Sequence, residues 1–283
     1  MKKTLLFLCI VFLSSGSMAF ASCDYECKTP YDMNSKFRTV LGAVSGVNSV
    51  TEFAAEKAVK KAILKIGTAE KLEVKIDSYS SKDLKNGIFK SAEISAENAQ
   101  IKGIYLSTIN LKTLCDFNYL KQSGKEYVFV EDLPMSYNIK LTAHDINKTM
   151  ENEKYQRVIK DLNKLGANYG YGMKIVSTKA SIKNGKFYYI LNLEIPFVRK
   201  PQKLVLEANV SVKDGKIVYT NTRMVSGFVK LDIKKVDFIL NYLNPLDFSV
   251  NLIDDKEANV KVKNVKISND TIFTDGVVII PKD

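Results

Sequence analysis

The chain has 283 residues, of which 46% are hydrophobic, and a formal net charge of +11 at pH 7. Its lysines are scattered at alternate strand positions and its arginines do not cluster. The charge therefore does not indicate nucleic-acid binding, and it fits either solvated strand faces or attraction to anionic lipid headgroups. After the first 21 residues no segment reaches 18 consecutive apolar residues, so no later membrane-spanning helix is expected.

The first 21 residues have the three parts of a secretory signal peptide. Lys2 and Lys3 supply a positive start, an apolar run from Leu5 to Leu13 follows, and Ala19-Phe20-Ala21 is a small-residue cleavage site. We therefore expect residues 1–21 to be removed and the protein to be exported. The apolar run is too short to span a bilayer as a stable helix.

Three cysteines remain after the signal peptide, and their pairing is open. Phe20-Ala21-Ser22-Cys23 also fits a loose lipobox, in which Cys23 would become a lipidated N-terminus. Lipidation of Cys23 would leave Cys27 and Cys115 to form a disulfide in an oxidising compartment. Plain export allows a second arrangement, in which a short Cys23–Cys27 bridge leaves Cys115 as a buried thiol.

Residues 22–33 read as a short polar N-terminal segment and residues 34–283 as one domain. Hydrophobic periodicity predicts three helices in this domain. The first covers residues 34–66, with a break near Gly46. The second covers 143–165 and starts with a capping box formed by Thr142 and Asp145. The third covers about 232–243 and stops before Pro245.

Strands fill the intervals between the helices. The stretch SIKNGKFYY at residues 181–189 is repeated as SVKDGKIVY at residues 211–219. Asn184-Gly185 and Asp214-Gly215 supply the positive φ angles that a tight hairpin turn requires, so both repeats predict β-hairpins of one meander spanning 173–226. Two final strands, 258–267 and 271–280, close the chain. Helices alternating with runs of strands indicate an α+β fold with antiparallel sheet.

The meander carries more apolar strand surface than three helices are expected to cover. A long, curved sheet that rolls around a helix and leaves an apolar groove is one interpretation, and a closed core is the other. Periodicity does not separate them.

Catalytic motifs are missing from the sequence. His144 is the only histidine, and its place at a helix start suits a capping or exposed role. The chain has no nucleophile elbow, phosphate-binding loop or dinucleotide fingerprint, and its cysteines and His144 do not form a zinc set. The sequence therefore predicts a protein that is not an enzyme and that holds no metal and no cofactor.

Several short motifs, in this order, resemble the LmeA family of phospholipid-binding proteins of the bacterial envelope. The matching stretches are KIDSY at 75–79, LKNGIFKSAEI at 84–94, AENAQIKGI at 96–104, TAHDIN at 142–147, VKISND at 265–270 and DGVVI at 275–279. The resemblance implies a fold similar to tubular lipid-binding domains, in which a long curved antiparallel sheet wraps a long N-terminal helix and two further helices follow. It offers no catalytic residue to transfer.

We therefore expect a non-enzymatic phospholipid carrier or sensor of the periplasm or cell envelope that meets phospholipid and membrane surfaces. Lipidation of Cys23 would anchor it to a membrane. The expected headgroup residues are Arg199 and Lys200, in the turn between Pro196 and Pro201. The alternative is a structural envelope scaffold with a filled core and no lipid ligand. The residues expected to line the acyl-chain groove are Ile104, Leu106, Leu191, Leu193, Leu204, Leu206, Ala208 and Val210.

Overall fold

The fold is α+β, and every strand pairing is antiparallel, as the sequence predicts. Within the part of the chain that the structure describes, the strands form three sheets rather than one long sheet. A computed structural model describes residues 25–27, 47–123, 126–168, 173–226, 240–247 and 258–282. The predicted signal peptide, Cys23 and the first half of the predicted helix 34–66 lie outside these residues.

The helices are α1 (Val47–Ile66), α2 (Ser81–Lys85), α3 (Ala143–Met150) and α4 (Glu153–Asn168). The first strands are β1 (Gly67–Thr68), β2 (Lys71–Asp77), β3 (Ile88–Phe89), β4 (Ser91–Ile101), β5 (Ile104–Thr113), β6 (Asn118–Ser123) and β7 (Glu126–Phe129). The remaining strands are β8 (Leu133–Thr142), β9 (Lys174–Lys183), β10 (Lys186–Glu194), β11 (Gln202–Lys213), β12 (Lys216–Ser226), β13 (Asn259–Ser268) and β14 (Thr271–Ile280).

The largest sheet has seven strands in the order β1-β4-β5-β8-β14-β13, and β2 continues beside β4. One face is apolar because alternate residues align across the strands, as in the row Val74–Ile94–Leu111–Tyr137. The helix α1 covers part of this face with Ala55, Val59 and Ile63. The face therefore supports two apolar clusters, one beneath α1 and one beneath the meander.

The predicted meander is confirmed as a four-stranded sheet in the order β12-β11-β10-β9. Asn184 and Gly185 have φ angles of 53° and 69°, and Asp214 and Gly215 have φ angles of 53° and 74°. These are the left-handed conformations of a type I′ turn, which suits Asn, Asp and Gly. Both dipeptides are hairpin tips, as the sequence predicts.

The two repeated turns lie at the same end of the four-stranded sheet, and both attach to the β13–β14 hairpin. The backbone N–H of Asn184 donates to the carboxylate of Asp270 at 3.1 Å. The N–H of Val262 donates to the carbonyl of Gly215 at 2.9 Å. The repetition therefore gives the sheet two parallel attachments to the seven-stranded sheet.

Asparagine side chains cover both edges of the four-stranded sheet. Asn147 of α3 accepts from the N–H of Ala180 at 2.8 Å and donates to the carbonyl of the same residue at 2.9 Å. Asn163 of α4 makes the same pair of bonds to Ile175, at 2.8 and 2.9 Å. Each amide thus replaces a neighbouring strand at the edge strand β9.

The opposite edge strand, β12, is covered in the same way. Asn241 accepts from the N–H of Tyr219 at 3.2 Å, and Asn244 donates to the carbonyl of Ile217 at 2.7 Å. Both lie in the short segment 240–247, in which 240–242 and 245–247 are helical. The rest of the predicted helix 232–243 lies outside the described residues.

The single helix predicted for 143–165 is wrong, because the chain forms two helices there. The capping box is confirmed: Thr142 and Asp145 bond to each other's backbone N–H at the start of α3. Asn152 then starts a new helix by accepting from the N–H of Lys154 at 2.8 Å. Its amide also donates to the carbonyl of Lys102 at 3.2 Å, which holds the break in place.

Candidate functional site

The eight side chains predicted to line a groove are brought together in one apolar cluster. Seven belong to its buried set, and Val210 is partly buried against it. The alternation along β10 and β11 produces this arrangement, because Leu191 pairs with Leu204, Tyr189 with Leu206 and Phe187 with Ala208. Ile104 and Leu106 reach the same cluster from β5 of the seven-stranded sheet.

The cluster is closely covered. Helix α4 contributes Tyr155 and Ile159, α3 contributes Ile146 and Met150, and the segment 240–247 contributes three leucines. The predicted groove residues other than Val210 are at most 7% exposed. In this structure these side chains are therefore packed against protein on all sides.

A line of tyrosines lies inside the cluster. The hydroxyl of Tyr155 donates to the carbonyl of Leu243 at 2.7 Å and lies 2.5 Å from the hydroxyl of Tyr189. Tyr219 stacks on Phe187 with ring centroids 4.9 Å apart. Burial raises the pKa of Tyr189 to about 12 and holds the pKa values of Tyr155 and Tyr219 well above their usual value. These phenols are therefore neutral at physiological pH.

The predicted headgroup residues lie in the loop between β10 and β11, at the end of the sheet opposite the repeated turns. Both Arg199 and Lys200 are exposed. Arg199 lines an open depression of 430 Å³ together with Lys174, Glu194, Ile195, Pro196, Val198 and Pro201. Ile195 also packs against the apolar cluster, so the depression adjoins the end of the cluster. Lys174 and Glu194 form an ion pair there at 3.7 Å.

The same loop contains an exposed phenylalanine that the sequence reasoning missed. Pro196 and Phe197 occupy the centre of a β-turn, which is closed by the N–H of Val198 donating to the carbonyl of Ile195 at 3.1 Å. Phe197 has a φ angle of 64°, the conformation that favours glycine at the third position of a type II turn. Its side chain is fully exposed and Val198 is 43% exposed. The only sequence signal was an apolar pair between two prolines.

Other predicted residues lie away from this site. A second depression, of 200 Å³, is on the polar face of the seven-stranded sheet and contains none of the predicted site residues. His144 is exposed at the start of α3. No group of three or more His, Cys, Asp and Glu side chains suited to a metal ion occurs among the described residues.

Cys27 and Cys115 form a disulfide, one of the two pairings left open by the sequence. A bond between residues 88 positions apart is typical of proteins that mature in an oxidising compartment. Among the described helices, none combines the length and apolar character needed to cross a bilayer.

No protein-family model, curated protein or solved structure matches the chain. The resemblance to the LmeA family therefore stays a prediction that the sequence motifs alone carry.

Proposed function

We propose that this chain is a non-enzymatic phospholipid-binding protein of the bacterial cell envelope, acting as a carrier or sensor. The observation that carries the proposal is the contact between a large apolar cluster and a cationic depression. Ile195 packs against the cluster and also lines the depression, which Arg199 and Lys174 line as well. A phospholipid has the same two parts, an apolar body and an anionic head.

The proposed binding mode places acyl chains against β10 and β11 and the phosphate near Arg199 and Lys200. Each buried methylene contributes about 0.8 kcal/mol, so two acyl chains hold a lipid without further polar contacts. Since the cluster is closely packed, lipid entry requires α4 and the segment 240–247 to separate from the sheet. In the same proposal, α1 and the seven-stranded sheet correspond to the long helix and curved sheet of tubular lipid-binding domains.

Export to the envelope is part of the proposal. It is supported by the predicted signal peptide and by the disulfide between Cys27 and Cys115. Membrane attachment through a lipidated Cys23 is proposed as the alternative to plain cleavage before Ser22. The intact mass of the mature protein from its own host separates these two forms, and an uncleaved chain would contradict both.

One observation favours a second function, a structural envelope scaffold with a filled core. The groove residues are packed against other parts of the chain, as in an ordinary protein interior. Such a protein would bind partner proteins and would carry no lipid.

Native mass spectrometry of the purified mature protein, followed by lipid extraction, tests between the two functions. The phospholipid-binding proposal predicts co-purifying phospholipid, or uptake from vesicles by lipid-free protein. A phospholipid with a photoreactive acyl chain should then label peptides of β10 and β11, with excess unlabelled phospholipid as the competition control. Absence of lipid in both the purified and the vesicle-treated protein would favour the scaffold. Labelling confined to other strands would remove β10 and β11 from the site.

A further inference from the structure

Exposed apolar side chains lie at the end of the four-stranded sheet opposite the repeated turns, around the loop 195–201. We propose that this end, centred on Phe197 and Val198, docks on the surface of an anionic lipid membrane. The inference rests on the proposed function, because it names the surface through which a lipid carrier or sensor meets its membrane.

The strand register places three exposed apolar residues, Val176, Phe197 and Val198, at this end. Glu194 pairs with Lys174, which places Val176 near the start of β9. Met224 and Val225 lie nearer the middle of the sheet, because Met224 pairs with Leu206 and Leu206 pairs with Tyr189. The opposite end of the sheet is occupied by the two repeated turns and their contacts to β13 and β14. The exposed apolar residues of the sheet and its loop are Val176, Phe197, Val198, Met224 and Val225.

Phe197 does not stabilise the fold. Its side chain is fully exposed, with a relative exposure of 108%, so it buries no apolar area against the described residues. Its φ angle of 64° lies in the left-handed region, where glycine or asparagine is favoured over a bulky residue. A residue in such a conformation often serves a function outside the fold. An apolar ring held outward on a turn is suited to insertion into the interfacial region of a bilayer.

Three cationic residues lie close in the chain to the apolar tip of the loop. Arg199 and Lys200 follow it directly, and Lys203 lies at the start of β11. None of the three forms an ion pair within the described part of the chain. Their long side chains can bury apolar stems and keep charged heads among lipid phosphates while Phe197 enters the interface. Charge complementarity therefore favours an anionic membrane over a neutral one.

A protein partner fits this surface less well. The tip is a protruding turn, whereas a stable protein interface buries about 800 Å² on each side and centres on well-packed anchors. The two residues at the turn cannot supply that area. Insertion into a bilayer needs no complementary pocket.

A second surface of the chain has similar chemistry and provides the matched control. Phe53 on α1 is 63% exposed, and the ammonium of Lys57 lies 5.7 Å from its ring centroid. If any exposed phenylalanine beside lysine were sufficient, removing Phe53 would weaken membrane binding as much as removing Phe197. The two substitutions therefore test the location of the docking surface as well as its chemistry.

The experiment measures partitioning of the full mature protein into vesicles by sedimentation. The vesicles contain equal parts of phosphatidylcholine and phosphatidylglycerol, or phosphatidylcholine alone. We expect binding to the anionic vesicles and a loss of about tenfold or more in Phe197→Gly, equivalent to about 1.4 kcal/mol. Phe53→Ser should bind within about twofold of wild type. Phe197→Gly relieves the left-handed strain, so its melting temperature should equal or exceed that of wild type.

The charge contribution is tested with paired glutamine substitutions. Lys200→Gln with Lys203→Gln should lower binding to anionic vesicles by about fivefold for each charge removed. Lys57→Gln with Lys61→Gln removes the same charge from α1 and should have a much smaller effect. Raising the salt concentration should reduce the difference in vesicle binding between wild type and the variant with Lys200→Gln and Lys203→Gln.

Several results would overturn the docking proposal. They are a wild-type protein that does not bind anionic vesicles, a folded Phe197→Gly protein that binds as wild type does, and an equal loss in Phe53→Ser. Capture of a protein by the wild-type tip, without vesicle binding, would assign the surface to a protein partner. Lipid extraction separates this proposal from the function itself. Phe197→Gly should retain any co-purifying phospholipid, whereas failure of the lipid-binding proposal would appear as lipid-free wild-type protein.

Discussion

The hydroxyl of Tyr189 donates to the hydroxyl of Tyr155, which in turn donates to the carbonyl of Leu243. This direction follows because Tyr155 has one proton and directs it at the carbonyl. The chain of bonds links β10, α4 and the segment 240–247 in the middle of the apolar cluster. In the proposed binding mode, these are the elements that separate to admit a lipid.

Two tyrosines of the cluster should therefore respond differently to loss of the hydroxyl. Tyr155→Phe removes both bonds and leaves a buried carbonyl without its donor, so we expect a loss of about 1–3 kcal/mol in the free energy of unfolding. Tyr219→Phe is the matched control, because its buried hydroxyl makes no hydrogen bond within the described residues. That change should be neutral or stabilising. Urea denaturation measures the free energy of unfolding of both variants. An equal loss in the two would contradict the hydrogen bonds assigned to Tyr155.

Alkaline pH should destabilise the fold through the same tyrosines. Their pKa values are raised in the folded protein, to about 12 for Tyr189, so the unfolded chain releases protons first as pH rises. The stability that these tyrosines contribute should be constant below about pH 10 and fall between pH 10 and pH 12, by about 1.4 kcal/mol per pH unit for each tyrosine. Thermal melts followed alongside phenolate absorbance provide the measurement. Phenolate formation near pH 10 in the folded protein, without loss of stability, would disagree with this account.

The asparagines of α3 and α4 that cover the edge strand β9 should limit self-association. Asn147→Ala leaves the backbone N–H and carbonyl of Ala180 without their partner, and we expect a loss of roughly 2 kcal/mol. Combining it with Asn163→Ala uncovers both covered positions of β9, and an uncovered edge strand pairs with other chains. Light scattering should then show aggregation. Asn192→Ala, which removes one exposed bond to Ser177, should leave both stability and scattering unchanged.

The sequence predicted the parts of the fold that depend on neighbouring residues. Asn184-Gly185 and Asp214-Gly215 determine their turns locally, and so does the capping box at Thr142. The number of sheets depends instead on the pairing of β8 with β14, whose residues Thr142 and Thr271 are far apart in the chain. The helix break at Asn152 depends on a carbonyl 50 positions away. Periodicity cannot reveal such partners.

The candidate site was predictable to a similar extent. Alternation along β10 and β11 identified the apolar face, and the structure brings all eight residues to one cluster. Helix α4 and the segment 240–247 cover that face. No pattern in the strands indicates that these two elements pack there. Phe197 was missed because residue type does not predict a positive φ angle at a phenylalanine.

Removing the disulfide should weaken the fold strongly. A cross-link between Cys27 and Cys115 restricts the unfolded chain over 88 positions, which corresponds to about 4–5 kcal/mol in the chain-entropy model. Cys115→Ser, or reduction of the wild-type protein, should lower the free energy of unfolding by up to this amount. Reduction should leave Cys115→Ser unchanged, which serves as the control. An unchanged wild-type melting temperature on reduction would indicate that the bond does not constrain the unfolded state.

The attachment of the four-stranded sheet at one end has a mechanical consequence. Asn184 and Gly215 tie the repeated turns to the β13–β14 hairpin, and the loop that carries Phe197 lies at the other end of β10. A strand of nine residues is about 30 Å long. At that length, a rotation of the sheet by about 10° about its attached end would move the outer loop by about 5 Å.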